Sequence, residues 1–130
     1  MIALDASVVV EFLITGGLAA RLAQELGAEG ETLIAPHLLD LEVLSALRSL
    51  AAGQRIDSYR SEEFLAEFER LPVQRCAHTL LLPRIWELRH NFTACDAAYI
   101  ALAEAFGATL YTTDAKLAKG HRARVKLFQL

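Results

Sequence analysis

Four short apolar runs punctuate this chain: Met1–Leu4, Thr32–Ala35, Ala108–Thr113 and Val125–Leu130. Between them lie longer segments with the composition and 3.6-residue period of helices. Strands separated by helices are joined by crossovers, and crossovers build a parallel sheet covered by helices. The expected fold class is therefore α/β, a compact α/β/α sandwich with a central, mainly parallel sheet. The 130 residues, 54% of them hydrophobic, suffice for one core and are too apolar for a disordered chain. No repeat, low-complexity stretch or Pro/Ser-rich linker marks a boundary, so one domain over residues 1–130 is expected.

The helical segments carry end signals. Leu18–Leu26 closes at Gly27. Pro36 suits the first turn of a helix, because its missing N–H would be unpaired there, and His37–Ala52 follows, ending at Gly53. Ser61–Leu71 reads as a helix with Ser61 as N-cap and Glu62 and Glu63 complementing its dipole. Thr79–Arg89 reads as helical with Pro83 in its first turn, and Thr93 caps Ala94–Phe106, which Gly107 closes. The β-branched Val8–Val10, after the strand Met1–Leu4, read as part of a strand-to-helix turn.

Several function classes are disfavoured. No apolar run approaches the roughly 20 residues of a membrane-spanning helix. The N-terminus has no basic region and meets Asp5 at once, unlike a secretory leader. Cys76 and Cys95 lack CxxC spacing, so a reduced, cytoplasmic protein is expected. The net charge of −3 argues against a globally basic nucleic-acid binder. The segment Ala115–Leu130 is nevertheless free of acids and holds Lys116, Lys119, Arg122, Arg124 and Lys126. That stripe suits phosphates, and it reads equally as a solvated edge.

In parallel α/β sheets ligands sit at the carboxyl ends of the strands. Asp5 and Asp114 both lie just after an expected strand, although a helix cap would also use an Asp there. Asp96 shares a helix face with Tyr99, Ile100 and Ala103, an apolar stripe where a carboxylate costs several kcal/mol unless paired or metal-bound. Glu42 and Asp40 point nearly opposite ways on one helix, at about 100° per residue, so only one can enter a common site. Both have apolar or small neighbours, and periodicity leaves the choice open.

The ordered elements Asp5-Ala-Ser7, Glu42 early in a helix after a proline, Asn91-Phe-Thr93-Ala-Cys-Asp96-Ala and Thr112-Thr-Asp114 span the chain. Together they resemble PIN-domain proteins, and more narrowly the VapC-like toxins of toxin–antitoxin pairs. The resemblance implies a divalent-metal-dependent endoribonuclease with Asp5, Glu42, Asp96 and Asp114 as catalytic and metal-binding acids. It implies Ser7 and Thr112 as polar support, a cognate antitoxin as partner, RNA as substrate and a homodimer. Cys95 stands where that family often has a larger side chain. Carboxylates without a Cys or His ligand set suit Mg²⁺ or Mn²⁺, and His37, His78, His90 and His121 show no ligand spacing. Two other classes share some features. A phospho-acceptor domain resembling response regulators needs an acidic pair after its first strand, where this chain has Ala6 and Ser7. A non-catalytic RNA-binding domain would not need all four acids.

Overall fold

The computed structural model describes residues 1–17, 20–22, 24 and 30–129. Five strands form one parallel sheet: β1 (Ile2–Leu4), β2 (Leu33–Pro36), β3 (Val73–Cys76), β4 (Thr109–Thr112) and β5 (Arg124–Leu127), in the order β3-β2-β1-β4-β5. The described α-helices are α1 (Ala6–Ile14), α2 (Leu38–Ala52), α3 (Ser58–Arg70), α4 (Leu82–Glu87) and α5 (Ala94–Phe106). Short 3₁₀ turns cover Thr79–Leu81 and Ala115–Ala118. The helix expected over Leu18–Leu26 falls largely outside the described residues. Among those described, no helix is long and apolar enough to cross a membrane.

The α/β expectation holds, with differences in detail. Val8–Val10 lie inside α1 because Asp5 caps it and Val8, Val9, Phe12 and Leu13 are all buried there, which outweighs their β propensity. Pro36 ends β2, paired with Cys76, rather than opening the following helix, which begins at Leu38. The cap of α3 is Asp57, whose carboxylate accepts from Arg60 N–H at 2.7 Å. Ser61 lies within that helix and its hydroxyl donates to the Ser58 carbonyl. Pro83 takes an early position in α4, and α5 has the bounds, the Thr93 cap and the Gly107 stop read from sequence. Gly107 ends α5 at φ 62°, a left-handed conformation that a side chain disfavours. The strand β3 carries no sequence signal: it is a sheet edge, and Gln74 and Arg75 interrupt its apolar pattern.

The sheet's topology decides where a site can be. The chain leaves β1 through α1 toward β2 on one side, and returns through α5 to β4 on the other, so strand order reverses at β1/β4. Leu4 pairs with Tyr111 there, at the carboxyl ends of both strands. Helices α1 and α2 begin immediately beyond β1 and β2, at this same end. Helix α5 finishes three residues before β4 starts, so its first turn lies about 20 Å away, toward the carboxyl end. Helices α1, α2 and α3 pack on one another, while α5, flanked by α4, lies across β1, β2 and β4. Right-handed crossovers put the two groups on opposite faces. The core between them includes Leu4, Val8, Phe12, Ile34, Leu39, Val43, Ile100 and Leu110.

Arg84 fixes α4 to α5. Its guanidinium forks onto Glu104 at 2.7 and 3.0 Å, and Arg122 N–H donates to the same carboxylate at 2.7 Å. Arg84 holds the Glu104 carboxyl below its ordinary value of 4.5. A lowered folded-state pKa contributes stability above the unfolded value, lost as pH falls through the folded one. Glu104→Gln is expected to lower unfolding stability at pH 7 by about 2 kcal/mol, from the lost charge-assisted bonds. The gap from the parent should shrink as pH drops below about 4.5, as measured by urea unfolding across pH.

Candidate active site

Asp5 is the residue after β1 and caps α1, with φ −94° and ψ 169°. It is 3% exposed. Its Oδ1 accepts from Val8 N–H at 3.0 Å and from the Ser7 hydroxyl at 2.6 Å, and its Oδ2 accepts from the Thr112 hydroxyl. Burial raises the Asp5 carboxyl above its ordinary value, the Ser7 and Thr112 hydroxyls and Val8 N–H oppose that rise, and the charge of Asp114 adds to it. Burial wins, so donors placed on both oxygens offset only part of the desolvation cost.

Ser7 and Thr112 tie the two strand ends together. Thr112, fully buried at the end of β4, also accepts from Asp114 N–H at 3.0 Å. Ser7 accepts from Thr113 N–H at 3.0 Å, and its oxygen lies 3.3 Å from that of Thr112. Asp114 caps the turn Ala115–Ala118, accepting from Lys116 N–H at 2.9 Å. Both strand-end acids are therefore anchored by backbone donors, in keeping with a capping role for each. A cap and a site residue are compatible here, since each cap bond uses only Oδ1, and Oδ2 of Asp5, held by the Thr112 hydroxyl, keeps a second lone pair.

On α2 the two acids diverge. Asp40 accepts from Arg75 of β3 at 2.7 and 3.1 Å, in an ion pair. Glu42 instead accepts from the Tyr99 hydroxyl of α5 at 2.6 Å, turning toward the β1/β4 end. Asp96, half-buried in the first turn of α5, has its N–H on the Thr93 hydroxyl at 3.1 Å. Tyr99 follows one turn later on the same face. The resulting electrostatic couplings chain the acids together: Asp5 feels Asp114, Tyr99 feels Glu42 and Asp5, and the Cys95 thiol feels Glu42 and Asp96. Burial, with those neighbouring charges, pushes both the Tyr99 phenol and the Cys95 thiol up, so both stay protonated at neutral pH.

Among the described residues no cationic side chain pairs with Asp5, Glu42, Asp96 or Asp114; the ion pairs engage Glu31, Asp40, Glu87 and Glu104. Nor, among those residues, do three Asp, Glu, His or Cys side chains converge closely enough to form a ready metal cage. The four acids thus share one end of the sheet without closing around a single point. A hard cation that uses one or two carboxylates and completes its shell with water and phosphate oxygen suits such a set.

The basic stripe does not form one surface. Lys116 and Lys119 are exposed in and just after the turn that Asp114 caps, at the carboxyl end of β4. The chain then runs back to begin β5 at the opposite end. There Arg124 donates to the Gly107 carbonyl at 2.8 Å, and Arg122 lies beside Glu104 through its own N–H. His121 staples this return, bonding the Leu117 carbonyl at 2.6 Å and accepting from Ala123 N–H. Tyr99 is the site neighbour that periodicity alone assigns to the core. Its signal is a lone phenol in a stripe of Ala, Ile and Leu, since a buried Tyr hydroxyl needs a partner.

Comparison with known proteins assigns the fold and the family. The PIN domain family matches residues 2–122. The chain is 39% identical to Ribonuclease VapC12 of Mycobacterium tuberculosis over 129 residues, 98% of each protein. It is 38% identical to Ribonuclease VapC1 of the same species, over 88% of this chain and 86% of that one. Among solved structures, PAE2754 from Pyrobaculum aerophilum superposes with a TM-score of 0.67 at 21% identity, covering 95% of this chain and 86% of that one. VapC20 of M. tuberculosis superposes with a TM-score of 0.61 at 18% identity, over 91% of this chain and 93% of that one. These last two speak for the fold, and the near full-length VapC relatives for the branch: the chain belongs to the PIN-domain family, among its VapC ribonucleases.

Proposed function

We propose that this protein is a divalent-metal-dependent endoribonuclease, the toxin of a toxin–antitoxin pair, with Asp5, Glu42, Asp96 and Asp114 as its working acids. The observation that carries this reading is that these four carboxylates gather at the strand-order reversal with no cationic partner among the described residues, while Asp40 and Glu104 each hold an Arg. Full-length likeness to VapC ribonucleases supports RNA as the substrate.

The donor set is all oxygen and net negative, which fits Mg²⁺ or Mn²⁺ better than zinc. One or two of the four acids at a time would hold such an ion, with water and a phosphate of the RNA completing its shell. When bound, the ion neutralises charge on the scissile phosphate and lowers the pKa of an attacking water. The chain's own groups prepare the site. Ser7 and Thr112 orient both oxygens of Asp5, Val8 N–H and Lys116 N–H anchor Asp5 and Asp114, and Lys116 and Lys119 draw the RNA backbone toward that end. The whole chain acts as one PIN-like domain in the cytoplasm, as a homodimer, restrained by a cognate antitoxin whose cationic side chains can occupy the acids in place of metal.

The parent protein is expected to cleave mixed RNA in Mn²⁺ or Mg²⁺ and to stop in chelator. Asp96→Asn and Glu42→Gln should each lose at least about 100-fold in turnover, consistent with removal of a metal-site carboxylate. Asp40→Asn should stay within a few-fold. An inert parent with tight RNA binding would leave a binding domain in its place, and a dead Asp40→Asn beside an active Glu42→Gln would reverse the helix face.

Lys116→Gln with Lys119→Gln should weaken RNA binding and flatten its salt dependence by about 0.7 in log–log slope for each phosphate no longer neutralised. Arg122→Gln with Arg124→Gln should change that slope less, because both lie at the far end of β5. Affinity measured across a salt series separates the two pairs, and equal slopes for both would restore a continuous stripe.

The raised Asp5 carboxyl has a consequence for stability in chelator. The folded protein holds this proton more tightly than the unfolded chain, so stability falls as pH rises from the ordinary value of 3.8 through the folded one. Asp5→Asn removes the buried charge and keeps an oxygen for the Val8 N–H, while the Thr112 hydroxyl can turn its proton to Ser7, 3.3 Å away, and accept from the new amide. The variant should therefore melt above the parent at neutral pH, with the difference narrowing in acid. Excess Mn²⁺ should raise the parent by about 2.7 kcal/mol at a hundredfold over its Kd and the variant much less. Thermal melts across pH, with and without metal, would show a variant no more stable than the parent if Asp5 carries no burial penalty.

A further inference from the structure

The Glu42 side chain raises a problem that the strand-end acids do not have. Asp5 and Asp114 are short and pinned by backbone N–H groups, whereas Glu42 is a long, half-buried side chain projecting from the middle of a helix turn. Such a carboxylate samples many rotamers unless something holds it. Among the described residues its one hydrogen-bond partner is the Tyr99 hydroxyl, at 2.6 Å.

Tyr99 is well built for that task. It is 1% exposed, so packing fixes its ring. Its position on α5 is one turn beyond Asp96, on the same face, and its hydroxyl feels the charges of both Glu42 and Asp5. A phenol has a single proton to give. Donated to Oε1, it leaves Oε2 of Glu42 available for another ligand. We propose that Tyr99 is a positioning residue of this site: its hydroxyl, carried on α5 beside Asp96, fixes the carboxylate of Glu42 on α2 so that the acids of two helices act in register.

The proposal rests on the four acids being a metal-dependent nuclease site. It goes beyond that reading, because a buried Tyr whose hydroxyl simply finds the nearest acceptor would serve the core alone. The two roles differ in what they move. A purely structural hydroxyl changes melting temperature and little else. A positioning hydroxyl changes metal affinity and turnover through Glu42.

Tyr99→Phe keeps the ring and removes only the donor. With thermal melts establishing a folded variant at the assay temperature, Mn²⁺ affinity is measured by titration calorimetry without RNA, and kcat and KM with RNA. Expected are about a tenfold weaker Mn²⁺ affinity and about a tenfold lower kcat at unchanged KM, the scale on which partners that orient metal ligands act. In a Glu42→Gln background Tyr99→Phe should cause no further loss, since its effect passes through that carboxylate. Parental Mn²⁺ affinity and kcat in Tyr99→Phe would overturn the proposal while leaving the nuclease reading intact. The same proportional loss in the Glu42→Gln background would overturn it too. A parent protein that neither binds Mn²⁺ nor cleaves RNA would bring down both.

Discussion

A carboxylate withdrawn from water at the end of the central strand governs the rest of this structure. Asp5 is as buried as its apolar neighbours, and an ionised group there costs several kcal/mol unless donors replace its lost hydration. The donors come from three places: the first turn of α1, the Ser7 side chain and the last residue of β4. Satisfying one side chain thus fixes the turn out of β1, the start of α1 and the register of β1 against β4. Ser7 extends the lock by accepting from Thr113 N–H, and Thr112 by accepting from Asp114 N–H. The same hydrogen bonds that make the buried acid tolerable also deliver a second acid, Asp114, to its side. Fold and site share one network at this point.

Elsewhere the molecule separates acids by the kind of partner they have. Where a carboxylate holds elements together, a guanidinium answers it: Arg75 for Asp40 between α2 and β3, Arg84 for Glu104 between α4 and α5. At the strand-order reversal the partners of Asp5, Glu42 and Asp114 are hydroxyls and backbone N–H groups. Neutral donors orient a carboxylate without cancelling its charge. An Arg at the same place would orient it equally well and remove its capacity to attract a cation. The distinction between scaffold and site is therefore electrostatic, and it holds for acids only two positions apart on α2.

That distinction also explains what the sequence could and could not reveal. Asp5 and Asp114 were legible because apolar runs end abruptly at each, and α5 because Thr93 and Gly107 bracket it with strong cap chemistry. The alternation of apolar runs with helical segments was enough for an α/β sheet. The choice between Asp40 and Glu42 was not legible from period, since both faces of α2 carry apolar neighbours. What separates them in space is Arg75, in a strand 35 residues further on, and that strand is itself an edge with a broken apolar pattern. The likeness to a family pointed to Glu42 where periodicity was silent. The basic stripe shows the opposite limit. Its charges are contiguous in sequence, but a parallel strand must begin at the far end of the sheet, so the return to β5 carries Arg124 away from Lys116. Asp57 caps α3 although Ser61, four residues later, is also a cap-forming residue type, so residue type alone does not separate the two.

The parallel topology adds one more term to the acids' balance. Every crossover starts its helix at the carboxyl end of a strand, so helix N-termini collect where the acids do. Asp5 stands at the N-terminus of α1 and Asp96 in the first turn of α5, each where unpaired backbone N–H groups and the helix dipole favour negative charge, by about 0.3–1 kcal/mol apiece. The gain is local to each residue. It lowers the cost of one carboxylate without removing the repulsion between neighbours, which is a property of the group. Asp5 shows the limit: with a helix cap and two hydroxyls in place its carboxyl is still raised, and Asp114 is among the causes. An arrangement satisfied residue by residue and unsatisfied collectively responds to a ligand that can touch several acids at once. Under the proposed function a divalent cation would be such a ligand, and a guanidinium of the antitoxin another, so metal and partner would compete for the same acids.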